Sequence, residues 1–453
     1  MLQRKILNKI ETFYKNKPQK ALMIIGARQV GKSYIINEFA KKNYSNVIKL
    51  DFIDDPNLSL IFSSVASAED ILLRISAIYG DKMIPGKTLI FFDEVQECKE
   101  LITHIKYLVQ EGSYDYVLSG SLLGTVFKDI VSVPVGYIDI MEMYPLDFEE
   151  FAWANGVGAK VLDSLRNSFL NKTPVDEYIH QRMLSLFELY LIVGGMPAAV
   201  DEYLSTNNLR KVADEQNSIV KLYKRDISKY DEKNRLYLNE IFDLIPSEIN
   251  AKNKRFILKN LNENVRFDKL YNSFLWLKNA GVALPVNVVE EPKVPLLLSK
   301  SQNLFKLFSS DVGLLTSQYG SDVQLKILQH ETSINYGSIY ENVVAQELFA
   351  HGYPLYYYNS KKFGELDFII EKDGKVLPIE IKSGKNYYRH NAIDNIMCIS
   401  EYDITEGFVF CNGNVETNDK VTYFPIYMIT FLHKKEIPSV FFHADFSDLN
   451  DKV

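Results

Sequence analysis

The stretch that decides the fold is ALMIIGARQVGKSYIINEFAKK, which runs from residue 21 to residue 42. Its first five residues, Ala21 to Ile25, form a continuous apolar run, as is typical of a strand that is buried on both faces. A glycine-containing segment follows, and a helical pattern begins at Lys32. The order strand, loop, helix predicts an α/β fold built on a parallel sheet.

The loop between this strand and this helix predicts a site for a nucleoside triphosphate. It reads GARQVGKS and fits the pattern GxxxxGKS. Glycine lets the backbone approach phosphate oxygens, Lys32 adds positive charge at the β and γ phosphates, and Ser33 offers a hydroxyl to Mg²⁺. The positive end of the following helix also favours an anion. The residues expected to bind ATP in this segment are Gly26, Ala27, Arg28, Gln29, Val30, Gly31, Lys32, Ser33 and Tyr34.

A second apolar run, Thr88 to Phe92, ends in the acidic pair Asp93-Glu94. Ligands bind at the carboxyl edge of such a sheet, so both carboxylates are expected beside the phosphates. Asp93 would hold Mg²⁺, while Glu94 would orient or deprotonate the attacking water. Glu94 and Lys32 are therefore the predicted catalytic residues, and the predicted reaction is hydrolysis of ATP to ADP and phosphate.

Three more apolar runs have the same character: NVIKLDF from residue 46, DYVLS from residue 115 and YIDIME from residue 137. Helical patterns lie between most of them, which indicates a sheet covered on both sides. The strand at 115 is followed by Ser121, which could contact the γ-phosphate. An ordinary turn serine is an equally good interpretation of that residue.

Composition limits the class of protein. The chain has 453 residues, 47% of them hydrophobic and 24% charged, which fits about three globular domains and excludes a disordered chain. A net charge of −7 excludes a polycation. The three cysteines form no CxxC pair, so neither a disulfide framework nor a cysteine zinc site is implied. With no apolar run long enough to cross a bilayer, the expected location is the cytoplasm, without a membrane partner.

The middle of the chain has a different character. Residues 156–235 show helical patterns only, with a break at Gly194-Gly195-Met196-Pro197. Residues 236–325 combine helices with two apolar segments, VALPVNVV and LFKLF, that predict a two-stranded ribbon. Helices and a ribbon together predict a winged-helix unit.

Basic residues are concentrated in this predicted winged-helix unit, between residues 251 and 280. A basic segment within an acidic protein suggests contact with a DNA backbone, although a solvated helix face explains it equally well. The seven residues are Lys252, Lys254, Arg255, Lys259, Arg266, Lys269 and Lys278.

The motifs GARQVGKS, IFFDEVQ, LSGS, MYPLDFEEF, VGGMP and KLFSSDVGLL occur in this order. Together they resemble the AAA-type ATPases of bacteria and archaea that carry a poorly characterised C-terminal region. The resemblance implies an AAA-type core over 1–155, a helical lid over 156–235 and a winged-helix unit over 236–325. It also implies Mg²⁺ as the cation that accompanies ATP.

One position departs from this family. Relatives often have Gly-Arg before the last core strand, where this chain has Gly136-Tyr137. Arg225 is a candidate for an arginine finger, acting in cis or, in a homo-oligomer, in trans. A helix-surface arginine paired with an acidic residue is the alternative, and the more frequent case.

The C-terminal section contains Asp373-Gly374, the strongest short signal for a β-hairpin. With these two residues as the turn, Asp367 faces Glu380 on the partner strand. Directly opposed side chains are close enough for two carboxylates to share one Mg²⁺. Strict alternation would place Leu366 and Phe368 together on the other face, against a core.

A helix upstream, Ile339 to Phe349, adds Glu341 on its apolar side. Glu341, Asp367, Glu380 and Lys382 together resemble the helix acid, Asp and Glu-x-Lys of PD-(D/E)XK nucleases. This resemblance implies a C-terminal α/β restriction-endonuclease-like domain over 326–453. In it the three acids hold Mg²⁺, Lys382 positions or activates water, and Asp367, Glu380 and Lys382 carry the cleavage of DNA.

Two functions follow from these patterns. One is an ATPase coupled to DNA engagement or cleavage by the C-terminal domain. The alternative is an ATP-dependent switch whose C-terminal domain binds a partner or nucleic acid without catalysis.

Overall fold

Two β-sheets organise the protein in the computed structural model, which describes residues 2–121, 136–230, 235–251, 256, 267–329, 331 and 334–435. The first sheet has the strand order β2-β3-β4-β1-β5, and all its strand pairs are parallel. Its strands are β1 (Ala21–Ile25), β2 (Asn46–Asp51), β3 (Thr88–Asp93), β4 (Asp115–Gly120) and β5 (Ile138–Glu142). The predicted α/β core with a parallel sheet is confirmed.

Helices cover this sheet on both faces. Leu22 and Ile24 of β1 belong to one apolar core and Met23 to the other, because successive side chains of a strand point to opposite faces. This double burial explains the continuous apolar run in the sequence. The helices of this part are α1 (Lys5–Lys15), α2 (Lys32–Asn43), α3 (Ala68–Tyr79) and α4 (Lys99–Glu111).

The middle of the chain is helical, as predicted for residues 156–230. Between residues 143 and 279 the helices are α5 (Phe148–Ala154), α6 (Ala159–Asn171), α7 (Glu177–Val193), α8 (Pro197–Thr206), α9 (Leu209–Tyr230), α10 (Arg235–Asn250) and α11 (Phe267–Asn279). The predicted break at Gly194 to Pro197 separates α7 from α8.

A mixed eight-stranded sheet forms the second half, in the order β12-β13-β11-β10-β9-β8-β6-β7. Its strands are β6 (Ala283–Val289), β7 (Lys300–Ser309), β8 (Tyr356–Ser360), β9 (Gly364–Lys372), β10 (Lys375–Lys382), β11 (Gly407–Cys411), β12 (Glu416–Asn418) and β13 (Val421–Pro425). The accompanying helices are α12 (Val312–Gln318), α13 (Ser321–Leu328), α14 (Tyr336–Ala350) and α15 (Asn391–Met397).

The predicted ribbon exists as the antiparallel pair β6 and β7. It is not a separate wing, because β6 also pairs in parallel with β8, from Asn287 opposite Tyr356. The ribbon thus extends the C-terminal sheet across the expected boundary near residue 325, and the winged-helix interpretation is not confirmed.

Three of the sequence motifs meet in the interior. The Asp311 carboxylate, fully buried, accepts a hydrogen bond from the Gly195 amide at 2.7 Å. The Gly195 carbonyl in turn accepts one from the Leu146 amide at 2.7 Å. A Cβ atom on Gly195 would lie 2.0 Å from the Leu146 carbonyl oxygen, which explains why glycine is required there. These bonds join the segment between β5 and α5, the break between α7 and α8, and the residue that precedes α12.

No single helix among the described residues has the length and apolar character needed to cross a membrane. The pair Glu177–Val193 and Pro197–Thr206 meets the length and composition criteria only when taken together, and it is bent by 119°.

Candidate ATPase active site

The glycine-rich loop packs tightly against the backbone directly after β5. A Cβ atom on Gly26 would lie 2.2 Å from the Met143 carbonyl oxygen, so only glycine fits there. Gln29 and Gly31 both have left-handed backbone conformations, with φ of 68° and 93°. Val30 is fully buried, and its carbonyl accepts a hydrogen bond from Arg4 at 3.0 Å. The loop is therefore held in a fixed conformation.

Lys32 begins α2 and is only 5% exposed. Its ammonium donates hydrogen bonds to the carbonyls of Gly26 at 3.0 Å and Ala27 at 2.9 Å. Burial, only partly offset by the nearby Glu94 and Asp93 carboxylates, lowers the pKa of Lys32 to about 8. A phosphate would provide a stronger partner for this ammonium than two neutral carbonyls do.

The predicted metal ligands are adjacent. The Ser33 hydroxyl donates to the Asp93 carboxylate at 2.9 Å, and Ser119 donates to the same oxygen. The other oxygen of Asp93 accepts from the Lys49 ammonium at 2.8 Å. Lys49 was not predicted, although its position on the neighbouring strand β2 places it beside the end of β3.

Glu94 follows β3 in a left-handed conformation, with φ of 56° and ψ of 50°. Its carboxylate accepts hydrogen bonds from Gln96 at 2.6 Å and from Ser121 at 3.2 Å. Ser121 thus contacts the predicted catalytic carboxylate, where the sequence suggested a contact to the γ-phosphate. Gln96, two residues after Glu94, is a second donor that was not predicted.

A cavity of about 550 Å³ lies beside these groups, within the usual size range of ligand sites. It is lined by Gln29, by residues 31–35 including Tyr34, and by Glu94. Its opposite wall comes from Arg4 and from the start of α8 at Pro197. The VGGMP motif therefore borders the candidate nucleotide site through Pro197.

Helix α9 contacts the glycine-rich loop at Arg28. The Arg28 guanidinium pairs with the Asp226 carboxylate of α9 at 2.9 Å, and its carbonyl accepts from the Tyr223 hydroxyl at 3.0 Å. Arg225 itself is exposed. The sequence pattern pointed to Arg225 as a candidate finger, whereas the contact of its neighbour Asp226 was not predicted.

The C-terminal hairpin has the predicted register from Lys375 opposite Lys372 to Ile379 opposite Phe368. The ladder then stops, because the Asp367 carboxylate accepts a hydrogen bond from the Ile381 amide at 2.8 Å. The pairing of β8 with β9 also shifts near this point. Leu366 consequently packs in a different apolar core from Phe368. The expected alternation is wrong at Leu366, since an irregularity in one strand reverses the facing of the residues beyond it.

Lys306 of β7 lies among the C-terminal acids and is fully buried. Its ammonium is 2.8 Å from the Glu365 carboxylate and 3.9 Å from that of Glu341. Burial alone would lower the pKa of Lys306, but the combined attraction of Glu341, Asp367 and Glu365 outweighs it and raises this pKa. Lys306 was not predicted, because β7 is distant from the hairpin in sequence.

The Glu380 carboxylate forms a salt bridge with the Lys382 ammonium at 2.6 Å. Burial and the nearby Asp367 raise the pKa of Glu380 to about 7. Glu341, Asp367 and Glu380 do not offer three ligand atoms within 4.8 Å of one another. The predicted residues are therefore close enough to influence one another's charge, with Lys306 between them, but they do not form a compact three-ligand set.

The basic segment predicted to contact DNA lies mostly outside the described residues. Among its seven residues, only the side chain of Lys278 falls within the described part of the chain, where it is exposed.

Three family models match the chain. Residues 18–152 match the AAA domain. Residues 184–325 match a domain of unknown function (DUF8612), and residues 336–429 match another domain of unknown function (DUF4143). The first match and the site geometry define residues 18–152 as an AAA-type ATPase-like domain, which implies binding and hydrolysis of ATP. No curated protein matches the chain.

Solved structures show a distant likeness. A Walker-type ATPase of Pyrococcus abyssi is 15% identical, with 70% of this chain and 96% of that chain covered and a TM-score of 0.42. The Thermotoga maritima RuvB Holliday junction branch migration motor is 13% identical, with coverages of 65% and 91% and a TM-score of 0.28. The Aeropyrum pernix ORC1 protein in complex with DNA is 11% identical, with coverages of 72% and 91% and a TM-score of 0.25.

Proposed function

We propose that this protein binds ATP at the loop of residues 26–33 and hydrolyses it to ADP and phosphate in the presence of Mg²⁺. The observation that carries the proposal is the convergence of Lys32, Ser33, Asp93 and Glu94 beside one cavity of about 550 Å³. Lys32 is buried with only backbone carbonyls as hydrogen-bond acceptors, so a phosphate would improve its environment.

The residues fit a magnesium ion because a hydroxyl and a carboxylate, both hard oxygen donors, are neighbours in Ser33 and Asp93. Bound there, the ion would neutralise charge on the phosphates. Lys32 would bind the β and γ phosphates, and Glu94 would orient the attacking water and accept its proton. The bonds from Gln96 and Ser121 to Glu94 would hold this carboxylate in position.

Lys32→Ala is expected to lower ATP hydrolysis at least about 100-fold, because a preorganised positive charge on the phosphates is removed. Hydrolysis is measured by phosphate release, and binding by titration with a fluorescent ATP analogue. Lys41→Ala, at an exposed position of the same helix, is the matched control and should keep the wild-type rate. Full hydrolysis by Lys32→Ala would exclude this site.

We further propose that the nucleotide state is transmitted to the rest of the chain through the loop itself. Arg28 is bound by Asp226 and Tyr223 of α9. Ala27 packs against Gly281, where an added Cβ atom would lie 3.2 Å from the Ala27 side chain. A shift of the loop on phosphate binding would therefore move or strain its contacts with α9 and with the turn before β6. This supports an ATP-dependent switch acting on the domain of residues 184–325, to which Tyr223, Asp226 and Gly281 all belong.

The grouping of Asp367, Glu380 and Lys382 favours a second candidate, Mg²⁺-dependent cleavage of DNA by the C-terminal domain. Lys306 weighs against it, since its ammonium supplies positive charge that Mg²⁺ would otherwise provide. A non-catalytic C-terminal domain that binds a partner is therefore the function we favour.

The two candidates differ in a cleavage assay with Mg²⁺ or Mn²⁺ on single- and double-stranded DNA. We expect the wild type to leave DNA uncut under all these conditions. Cleavage that falls at least about 100-fold in Asp367→Ala, as loss of a metal ligand would cause, would instead establish a nuclease. Glu401→Ala, an exposed acid of the same domain, is the control for unspecific loss.

A further inference from the structure

A second cluster of metal-type side chains lies between the two halves of the protein, outside the ATP site. Asp147 precedes α5, Glu347 lies on α14 and His351 follows α14 directly. The His351 Nε2 atom is 3.5 Å from Asp147 Oδ2 and 3.6 Å from Glu347 Oε2. The three side chains are 2%, 8% and 0% exposed, in the order His351, Asp147, Glu347. One ligand atom from each lies within 4.8 Å of the other two.

The remaining polar atoms of these side chains are already used. His351 Nδ1 bonds to the Leu432 carbonyl at 3.0 Å, so it must carry the hydrogen. Nε2 of the neutral ring is therefore an acceptor. Glu347 Oε1 accepts from the Phe148 amide at 2.8 Å, and Asp147 Oδ1 accepts from the Glu150 amide at 2.9 Å. Each candidate ligand is thus oriented by a hydrogen bond to its other polar atom, as is usual for ligands in protein metal sites.

The three side-chain atoms that face one another, His351 Nε2, Glu347 Oε2 and Asp147 Oδ2, have few hydrogen-bond partners. His351 Nε2 and Glu347 Oε2 are buried without any hydrogen-bond partner, which is costly unless a cation or proton is bound. Asp147 Oδ2 is the exception, with the Lys5 ammonium at 2.6 Å. The ring of His433 lies beside that of His351, with centroids 3.9 Å apart and the ring planes inclined at 40°. The cluster thus presents three acceptor atoms, of which the Lys5 ammonium binds one, Asp147 Oδ2.

We propose that Asp147, Glu347 and His351 form a binding site for a divalent transition-metal ion of the Zn²⁺ type. Nitrogen and carboxylate oxygen bind Zn²⁺ at about 2.0–2.2 Å. Two such ligands in a tetrahedral arrangement lie roughly 3.4 Å apart, and the two distances to His351 Nε2 are 3.5 and 3.6 Å. The imidazole ligand favours Zn²⁺ or a similar ion over Mg²⁺, which prefers oxygen only.

An ion could enter this site through adjacent cavities, and a bound ion could keep one coordination position for an exchangeable water molecule. One cavity of about 260 Å³ is lined by Asp147 and Glu347, and another of about 550 Å³ by Asp147 and His351. Three protein ligands leave a fourth position for water, as in zinc sites that are not purely structural. Gly26 and Ala27 line the smaller cavity as well, so the ion would lie behind the ATP-binding loop. It would join the AAA-type domain, through Asp147, to the C-terminal domain, through the other two ligands.

The test titrates the full chain, without nucleotide, with Zn²⁺ and with Co²⁺ as a spectroscopic substitute. We expect about one ion per chain, a Co²⁺ absorption spectrum typical of nitrogen and oxygen ligands, and a loss of affinity of about 100-fold or more in His351→Ala and Glu347→Gln. Asp367→Ala and Lys32→Ala should bind the ion as the wild type does, which separates this site from the other two. The proposal is overturned if the wild type binds no ion, or if His351→Ala and Glu347→Gln bind it unchanged.

A substitution at Lys5 distinguishes metal binding from a purely structural role of the cluster, because a structural role predicts no gain in affinity for Zn²⁺. Its ammonium occupies Asp147 Oδ2 and competes with the ion, so Lys5→Met is expected to bind Zn²⁺ about tenfold more tightly. Lys9→Met, on the same helix, should leave the affinity unchanged. If His351→Ala fails to fold, an affinity of Lys5→Met equal to or below that of the wild type would overturn the proposal.

Discussion

The Glu94→Gln variant is expected to bind ATP with wild-type affinity and to hydrolyse it at least about 100-fold more slowly. Glutamine has the shape of glutamate but cannot accept a proton from water. The carboxylate lies at the end of β3, where Gln96 and Ser121 hold one of its oxygens. Single-turnover hydrolysis measures the rate, and titration with a fluorescent nucleotide measures the affinity.

The matched control is Glu97→Gln, an exposed acid three residues further along the same turn. It changes the charge of the turn by the same amount and should keep the wild-type rate. Undiminished hydrolysis by Glu94→Gln would show that another group activates water. A loss of ATP binding along with hydrolysis would mean that Glu94 supports the loop rather than the chemistry.

The second large effect is expected on stability, from Asp311→Ala. The Asp311 carboxylate accepts from the Gly195 amide at 2.7 Å and from the Leu314 amide at 2.9 Å. Removal leaves two buried amides without acceptors and takes the cap from α12. We expect the free energy of unfolding to fall by about 3 kcal/mol, because each unsatisfied buried amide costs roughly 1–3 kcal/mol. Chemical denaturation followed by circular dichroism measures the loss.

Asp176→Ala is the control for helix capping alone. Asp176 caps α7 through two backbone amides at an exposed position, so its removal should cost only about 1 kcal/mol. Equal losses in the two variants would show that the bond from Gly195 to Asp311 does not stabilise the packing of the motifs. The large difference is expected because water replaces the lost bonds at Asp176 but cannot reach Asp311.

Local patterns predicted much of the fold and of the candidate ATP site. Each strand of the first sheet was visible as an apolar run, and the loop before Lys32 as a motif with a direct physical meaning. The Asp373-Gly374 turn gave the register of the C-terminal hairpin as far as Phe368. That prediction failed at Leu366 because Asp367 replaces a ladder bond with its side chain, which no alternation pattern can indicate.

The partners of the site residues were not predictable in the same way. Lys306, Asp226 and Lys49 each lie far in sequence from the acid or arginine that they pair with. Nothing in the local pattern marks a lysine on β7 as the neighbour of acids on β9 and α14. The ribbon of β6 and β7 is a similar case, since its pairing with β8 depends on how distant segments assemble.

The amino-acid sequence by itself determined the parallel α/β core, the glycine-rich loop between β1 and α2, and the hairpin, because each depends on periodic burial or on backbone conformations within a few residues. Only the tertiary structure decided that Arg28 is held by α9, that Lys306 lies among the C-terminal acids and that Asp147 meets Glu347 and His351. These contacts join residues separated by up to about two hundred positions. Their energies come from burial and from the close approach of opposite charges, and both arise only once the chain has packed.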